Sequence, residues 1–334
     1  MNKYQGFSLV ELMIAMGLSL VLMVGILEVF NSHKKSYDLI QSSNELQENG
    51  RVSGALIAES LRMADHWAGV AAEDVEFGHT ILTSSPGACN ATWVFNSTEA
   101  VRGYEGESTI ENVNGFPIAC IEPEEYVENS DLLMLRYADG RSLTNDVDIS
   151  HDRNSKQYFV RVTTGFSAYV FNGANNHVAV SKVPAENGTY NMRYRAELYF
   201  LRPCSNKVNG NCLDGLPTLT RLTLNGNKFT QQALVEGIEQ LQFSYGVDQN
   251  DNQEIDHYLT ANAVSDWRAV ISVRLSLIAR SLKEDASLDE SGKEYLMDGD
   301  METLGSGYVV SFSDKRFRRK LYQREVYIRN RGKS

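Results

Sequence analysis

The sequence predicts an α+β protein in which one long N-terminal helix precedes a mostly antiparallel β-sheet domain. Three observations support this fold class. An apolar run extends from Leu12 to Phe30, with Glu28 as its one strongly polar side chain. No proline occurs between His33 and His66, where apolar residues recur at near-helical spacing. Short apolar runs, separated by Gly, Asn and Asp turns, then fill the rest of the chain.

The composition is that of a folded protein with an acidic body and a basic end. Of 334 residues, 42% are hydrophobic, and the formal net charge is −11. This balance argues against general nucleic-acid binding. From Lys315 to the C-terminus, nine basic residues face one acid, Glu325, for a net +8. Such an end predicts either contact with an acidic neighbour or a solvated edge strand with alternating arginines.

The apolar run has the length of a membrane span. From Leu12 to Phe30 it would form a helix of about 28 Å, close to the ~30 Å hydrocarbon thickness. Lys3 in the short leader predicts a cytoplasmic N-terminus and a C-terminal body across the membrane. No A-x-A-like cleavage site follows Phe30, so we expect the run to remain in the mature protein.

The start of the chain, KYQGFSLVELMIAM, resembles the type III signal of type IV prepilins and type II secretion pseudopilins. The shared pattern is a short basic leader ending in Gly6, then Phe7, then an apolar stretch with Glu11 as its fifth residue. The resemblance implies cleavage between Gly6 and Phe7 by prepilin peptidase. It also implies that Phe7 becomes an N-methylated mature terminus.

Glu11 is a carboxylate at the head of an otherwise apolar segment. A charge in hydrocarbon is costly and needs a partner. The resemblance implies that the partner is the terminal amine of a neighbouring subunit, so that Glu11 sets the register of assembly. The alternative is an interfacial glutamate that snorkels to water and is favoured by the helix dipole.

The body contains clear strand signals at residues 131–138, 157–164, 192–202, 219–225, 238–247, 269–280 and 324–330. The cleanest period-two alternation places Ile271, Val273, Leu275 and Leu277 on one face, which predicts antiparallel sheet with one face buried. The predicted organisation is a leader (1–6), a membrane and filament-core helix (7–30), its amphipathic continuation (31–66) and a periplasmic β-rich domain (67–334).

Three segments, at 236–256, 267–281 and 318–331, resemble the PilW-type minor pilins, while pseudopilin J of type II secretion is similar in plan. The first resemblance implies a single-pass inner-membrane protein that helps to initiate a type IV pilus, with a place at the filament tip. It implies as partners the other minor pilins, the major pilin, prepilin peptidase and the inner-membrane assembly platform. The alternatives are a J-like pseudopilin and a calcium-dependent adhesin that uses a pilin anchor.

Four cysteines occur, and none forms a C-x-x-C motif. Cys204 and Cys212 flank a polar loop that a disulfide would close, leaving Cys89 and Cys120 as a second pair. An even count in an exported chain favours oxidation. The alternative is four reduced, buried thiols.

The loop DQNDNQEID is the one candidate metal site. Asp248, Asn250 and Asn252 occupy the first, third and fifth positions of a calcium-loop pattern, Glu254 would offer its carbonyl, and Asp256 a carboxylate. Gln253 replaces the usual glycine and Leu259 the usual closing glutamate. The alternative is a solvated turn. No other cofactor is expected, and the absence of GxSxG, HExxH, Walker and GxGxxG motifs in fitting contexts predicts that the chain is not an enzyme.

Overall fold

The structure is a computed structural model, and it describes residues 8–78, 89, 91–117, 120–149, 156–208, 211–285, 287–297, 308–314 and 316–331. The predicted cleavage site, Gly6 and Phe7, therefore lies outside the described residues. The chain divides into two compact units, residues 1–45 and 46–334.

One long helix, α1, spans Leu9–Met63. Its first half is apolar all round, and its second half presents the buried residues Leu46, Gly50, Ser53, Gly54, Ile57, Ala58, Ser60 and Leu61. The predicted helix reached His66, but α1 ends three residues earlier because Asp65 adopts a left-handed conformation, with φ of +62°. Small side chains on the buried stripe let the helix approach its sheet closely.

The remaining helices are short: α2 (Ala91–Val94), α3 (Asp146–Ile149) and α4 (Asn176–Lys182). The strands are β1 (Val75–Phe77), β2 (Val101–Tyr104), β3 (Leu132–Thr144), β4 (Tyr158–Thr163), β5 (Ser167–Asn172), β6 (Thr189–Arg202), β7 (Lys207–Val208), β8 (Asn211–Cys212), β9 (Thr218–Asn225), β10 (Lys228–Glu236), β11 (Ile238–Val247), β12 (His257–Leu259), β13 (Val270–Arg280), β14 (Glu294–Leu296), β15 (Val309–Ser311) and β16 (Arg319–Tyr327).

The larger sheet has the strand order β1-β5-β4-β6-β3-β2, and β9 and β10 extend it from β6. Its pairs are antiparallel except β1 with β5. The 14-residue strand β6 organises this sheet because β3 pairs along one edge, while β4 and β9 share the other. The α+β prediction and its mostly antiparallel pairing are confirmed.

The smaller sheet has the order β12-β11-β13-β16. Val273, Leu275 and Leu277 of β13 are buried in the same cluster as Ile57 and Leu61 of α1, as the alternation predicts. The expectation of a single buried face is wrong, however, because Ser272 and Ser276 are also buried. On this opposite face Tyr295 and Met297 pack around Ile278, and Ser272 Oγ donates to Glu325 Oε1 at 3.1 Å. Hydrogen bonds from Gln323 to Ser276 Oγ (3.3 Å) and the Met297 carbonyl (3.0 Å) satisfy this polar layer.

The predicted strands are all present, but the last one is shifted. β16 begins at Arg319, five residues before the predicted start, and ends at Tyr327. The residues that follow turn away because their polar side chains meet the end of α1. The amide of Asn330 donates to the carbonyls of Ala64 (2.9 Å) and Arg62 (3.3 Å), which α1 itself leaves unpaired.

Arg331 completes this contact. Its Nε donates to Asp65 Oδ2 at 2.8 Å, and Nη1 donates to the carbonyls of Trp267 and Val270. Asp65 also accepts from the indole of Trp67 at 2.8 Å. The C-terminal residues thus fasten the end of α1 to the smaller sheet.

Candidate assembly site

The first half of α1 exposes its apolar side chains on every side. The exposed large residues between Leu9 and Phe30 range from 50% accessible at Leu27 to 77% at Leu9. The helix is long and apolar enough to cross a membrane, with a mean hydropathy of 2.4 over its most apolar window. A stretch that is hydrophobic all round is stable only within lipid or among other apolar helices.

Glu11 lies in the first turn of this helix. Its Oε2 accepts a hydrogen bond from the backbone N–H of Ser8 at 2.9 Å. This is one half of a capping box, in which a glutamate at the third helical position satisfies a donor that the helix cannot. In the single chain, therefore, the Glu11 carboxylate caps the N-terminus of α1. This agrees with the alternative in which Glu11 is an interfacial glutamate at the start of the helix. Its pairing with a second subunit stays a prediction.

The second half of α1 meets the smaller sheet at a very short separation. A Cβ atom built at Gly50 would lie 2.6 Å from Cζ of Tyr322 and closer still to other ring atoms. Four residues on, a Cβ at Gly54 would meet only ordinary contacts, with Leu275 at 3.9 Å and Arg324 at 4.0 Å. Gly50 is therefore the point where α1 and β16 come together.

A buried polar network joins α1 to the larger sheet. Ser60 Oγ donates to Glu197 Oε2 at 2.8 Å and lies 2.8 Å from the Tyr199 hydroxyl. Burial, ahead of the charge on Glu197, raises the pKa of the Tyr199 hydroxyl and keeps it neutral. Arg221 balances the carboxylate from the far side, with Nη1 at 3.3 Å from Oε1. Sequence reasoning missed this network because its members are far apart in the chain and carry no motif.

The basic C-terminal end pairs within the protein. Arg319 is buried and forms a forked pair with Glu239, with distances of 2.6 and 3.1 Å. Arg318 pairs with Asp285 at 2.6 Å. A hydrogen bond from Ser287, followed by that from Arg318, lowers the pKa of Asp285 to about 2. Acids of the protein's own body thus neutralise part of this end, while much of β16, an edge strand, stays exposed or half-buried.

Both cysteine pairs are joined. Cys89 bonds to Cys120 and Cys204 to Cys212, which is the predicted pairing. The second bond closes the loop that carries the β7–β8 hairpin. Asp214 organises the same loop by accepting from the backbone N–H groups of Ser205 and Asn206 at 3.1 and 3.0 Å.

The acidic loop after β11 is tightly wound. Asp248 is buried and accepts from the backbone N–H of Gln253 at 2.7 Å and of Asn252 at 3.2 Å. Burial would raise the pKa of Asp248, but the hydrogen bonds from loop amides outweigh it and lower the pKa. Asp256 lies across the loop, accepting from the N–H of Gln249 at 2.7 Å and the amide of Asn250 at 3.0 Å.

These contacts place two of the predicted calcium ligands, Asp248 and Asp256, at opposite ends of one turn. Asn252 accepts from Glu254 N–H at 2.8 Å, so its oxygen also points into the turn. Within the described residues, no group of three or more His, Cys, Asp or Glu side chains is arranged to hold a metal. Any ion here would depend on amide and carbonyl oxygens, and calcium binding stays a prediction.

The comparisons with known proteins agree with the geometry of α1. The prokaryotic N-terminal methylation motif matches residues 1–27. The family described as Type IV Pilus-assembly protein W matches residues 199–330. These two matches support a type IV pilus minor pilin of the PilW family. No curated protein and no solved structure matches it.

The match to the PilW family begins near the end of β6 and ends at Asn330. It therefore includes the whole smaller sheet, the acidic loop and the residue that caps α1. The methylation motif includes Glu11 and marks this PilW-type pilin as a substrate of prepilin peptidase. Both matched families are structural components of pilus assembly rather than enzymes, and they place the chain among the components of a pilus.

Proposed function

We propose that this PilW-type pilin primes filament assembly from the inner membrane, with its β-rich domain in the periplasm and a final place at the pilus tip. The observation that carries the proposal is the first half of α1, which exposes apolar side chains all round and bears Glu11 in its first turn. Such a helix is stable in the bilayer before assembly and among the apolar helices of other subunits afterwards.

In this proposal, prepilin peptidase cuts between Gly6 and Phe7, and Phe7 is then N-methylated. The new amine would lie next to Ser8, whose N–H already bonds to Glu11. A carboxylate and an amine that meet in an apolar environment attract strongly, and each relieves the cost of burying the other. Glu11 would therefore accept the amine of an adjacent subunit and fix the stagger between two helices.

The proposed orientation rests on two further features. Lys3 in the leader favours a cytoplasmic N-terminus. The disulfides Cys89–Cys120 and Cys204–Cys212 suit the oxidising periplasm. The partners that we propose are the other minor pilins, the major pilin and the inner-membrane assembly platform.

Gly6→Leu should leave the leader attached, because a bulky residue at the cleavage position obstructs the peptidase. Intact-mass measurement on protein from a pilus-forming host should find the unaltered chain beginning at Phe7 with one added methyl group, and the variant beginning at Met1. Gln5→Leu is the control and should be cut normally. An unaltered mature protein that still carries residues 1–6 would contradict the proposed processing.

We also propose that the loop from Asp248 to Asp256 binds calcium weakly. The supporting observation is that oxygens of Asp248, Asn252 and Asp256 point into one tight turn. Calorimetry on the full chain in detergent should detect a dissociation constant of about 0.1–1 mM, the range of extracellular calcium modules. Asp256→Asn should weaken binding, whereas Glu254→Gln should not, since Glu254 would contribute its carbonyl. No heat on adding calcium to the unaltered chain would refute the site.

A further inference from the structure

A polar cleft of about 250 Å³ lies on the larger sheet, where β6, β9 and β10 run side by side. Alternate residues of a strand share a face, so Arg193, Arg195 and Glu197 of β6 point to the same side as Tyr199. Tyr199 is covered by α1, and Glu197 contacts Ser60 at the border. Beyond that border the face is open, and the two arginines line the cleft.

The cleft has one positive charge more than its carboxylates neutralise. Arg195 pairs with Asp139 at 3.2 Å, and Arg221 pairs with Glu197 at 3.3 Å. Asp139 is shared with Arg141, which pairs in turn with Glu59.

Arg193 has a neutral partner instead. Its Nη2 donates to the amide oxygen of Gln157 at 2.6 Å, and no carboxylate among the described residues forms an ion pair with it. Burial, ahead of repulsion from the nearby Arg195, lowers the pKa of Arg193, and attraction to Asp139, which lies opposite it in register, offsets only part of this shift. An anion bound in the cleft would offset both the cost of burying the Arg193 charge and its repulsion by Arg195.

Two buried polar atoms in the cleft lack partners. Thr223 pairs in register with Glu197 on one side and Thr230 on the other, and its hydroxyl makes no hydrogen bond. The Nε–H of Arg221 is likewise buried without an acceptor. A buried donor without a partner is costly and rare in folded proteins, so such groups usually belong to a site that something else completes.

We propose that this cleft binds the carboxylate of an acidic sugar residue. The guanidinium of Arg193 would pair with the carboxylate, and the hydroxyl of Thr223 would donate to it. The remaining polar lining, Asn225, Thr230 and Gln232, offers the hydroxyl and amide groups that bind sugar hydroxyls.

The lining argues against other anionic partners. Leu224 is the one apolar residue of the cleft, so it lacks the apolar centre on which protein partners usually dock. Nucleic acid needs a continuous basic track, whereas this cleft is short and the chain carries a net charge of −11. The volume lies just below the usual range of small-molecule sites, ~300–1,000 Å³, which suits one sugar ring rather than a longer chain.

The test is calorimetric titration of the full chain at low salt, in a polyoxyethylene detergent that contains no sugar. D-Glucuronate should bind saturably, with a dissociation constant of about 0.1–10 mM. D-Glucose lacks the carboxylate and acetate lacks the ring, so each should bind about tenfold more weakly or worse. Glucuronate binding should fall as salt is added, because the contact is partly ionic.

Arg193→Gln should weaken glucuronate binding about tenfold or more, since a charge-assisted pair is lost. Thr223→Val keeps the shape of the side chain and should weaken binding several-fold. Arg268→Gln is the control, because Arg268 is an exposed arginine that pairs with Asp266 away from the cleft. Melting curves should confirm that all variants fold.

Three results would each overturn the proposal. Glucuronate that binds no better than glucose would exclude recognition of the acid. Acetate that binds as well as glucuronate would exclude the sugar. Unchanged glucuronate affinity in both Arg193→Gln and Thr223→Val would place any binding outside this cleft.

Discussion

Glu11→Gln is expected to reduce pilus number about tenfold or more while the protein remains in the membrane fraction at normal abundance. Glutamine keeps an oxygen that can accept from the Ser8 N–H, so the helix cap seen in the single chain survives. What is lost is the negative charge, which we propose to pair with the amine of the next subunit. Breaking a buried, hydrogen-bonded charge pair costs about 2–5 kcal/mol, enough to prevent docking.

Glu11→Gln therefore separates the two uses of the carboxylate. If Glu11 acts only as a cap, the variant should assemble normally, and a normal pilus count would refute the pairing. Glu28→Gln is the matched control, because it removes a second acid from the same apolar run and should leave pilus number unchanged. Electron microscopy gives the counts, and immunoblots of membrane fractions give the abundance.

Gly50→Ala should destabilise the folded domain by about 1–3 kcal/mol, the usual cost of forcing an extra methyl group into a packed contact. The added Cβ would overlap the ring of Tyr322, so either the ring or α1 must move. Gly54→Ala should have the opposite sign. Its methyl group finds ordinary contacts, and alanine is favoured over glycine within a helix by about 0.5–1 kcal/mol.

The two variants form a matched pair on one face of one helix. Thermal unfolding of the full chain in detergent, followed by circular dichroism, should show a lower midpoint for Gly50→Ala and a higher one for Gly54→Ala. Tyr322→Ala alone should destabilise by lost packing, yet the double variant with Gly50→Ala should be more stable than the two separate losses predict. A raised midpoint for Gly50→Ala would contradict the close approach.

The strand predictions depended on local signals and succeeded where those signals were strong. The strand Ile238–Val247 lies within its predicted bounds, and Val270–Arg280 differs by one residue. The strand Lys228–Glu236 was not predicted, because it lies at a sheet edge and most of its side chains are exposed or half-buried, without regular alternation. The extension of the last strand to Arg319 was missed for a related reason, since arginines there pair with distant acids rather than alternating with apolar residues.

By itself the sequence determined the features that depend on neighbours along the chain. These are the N-terminal methylation motif, the membrane-length apolar helix with Glu11 at its head, the strand-rich body, and the close spacing of Cys204 and Cys212. Each rests on periodicity, hydropathy or a short motif. Because these features depend on residues that are close in the chain, they can be inferred from the sequence without coordinates.

Only the tertiary structure decided how distant residues are used. It brought Ser60 to Glu197, Gly50 to Tyr322 and Asn330 to the end of α1. It also paired three arginines of the basic C-terminal end, Arg318, Arg319 and Arg331, with Asp285, Glu239 and Asp65 of the same chain. The sequence gives the charge and size of each side chain. Packing determines which acid neutralises a given arginine and which ring leaves no room for a methyl group, because both depend on residues that are distant in the chain.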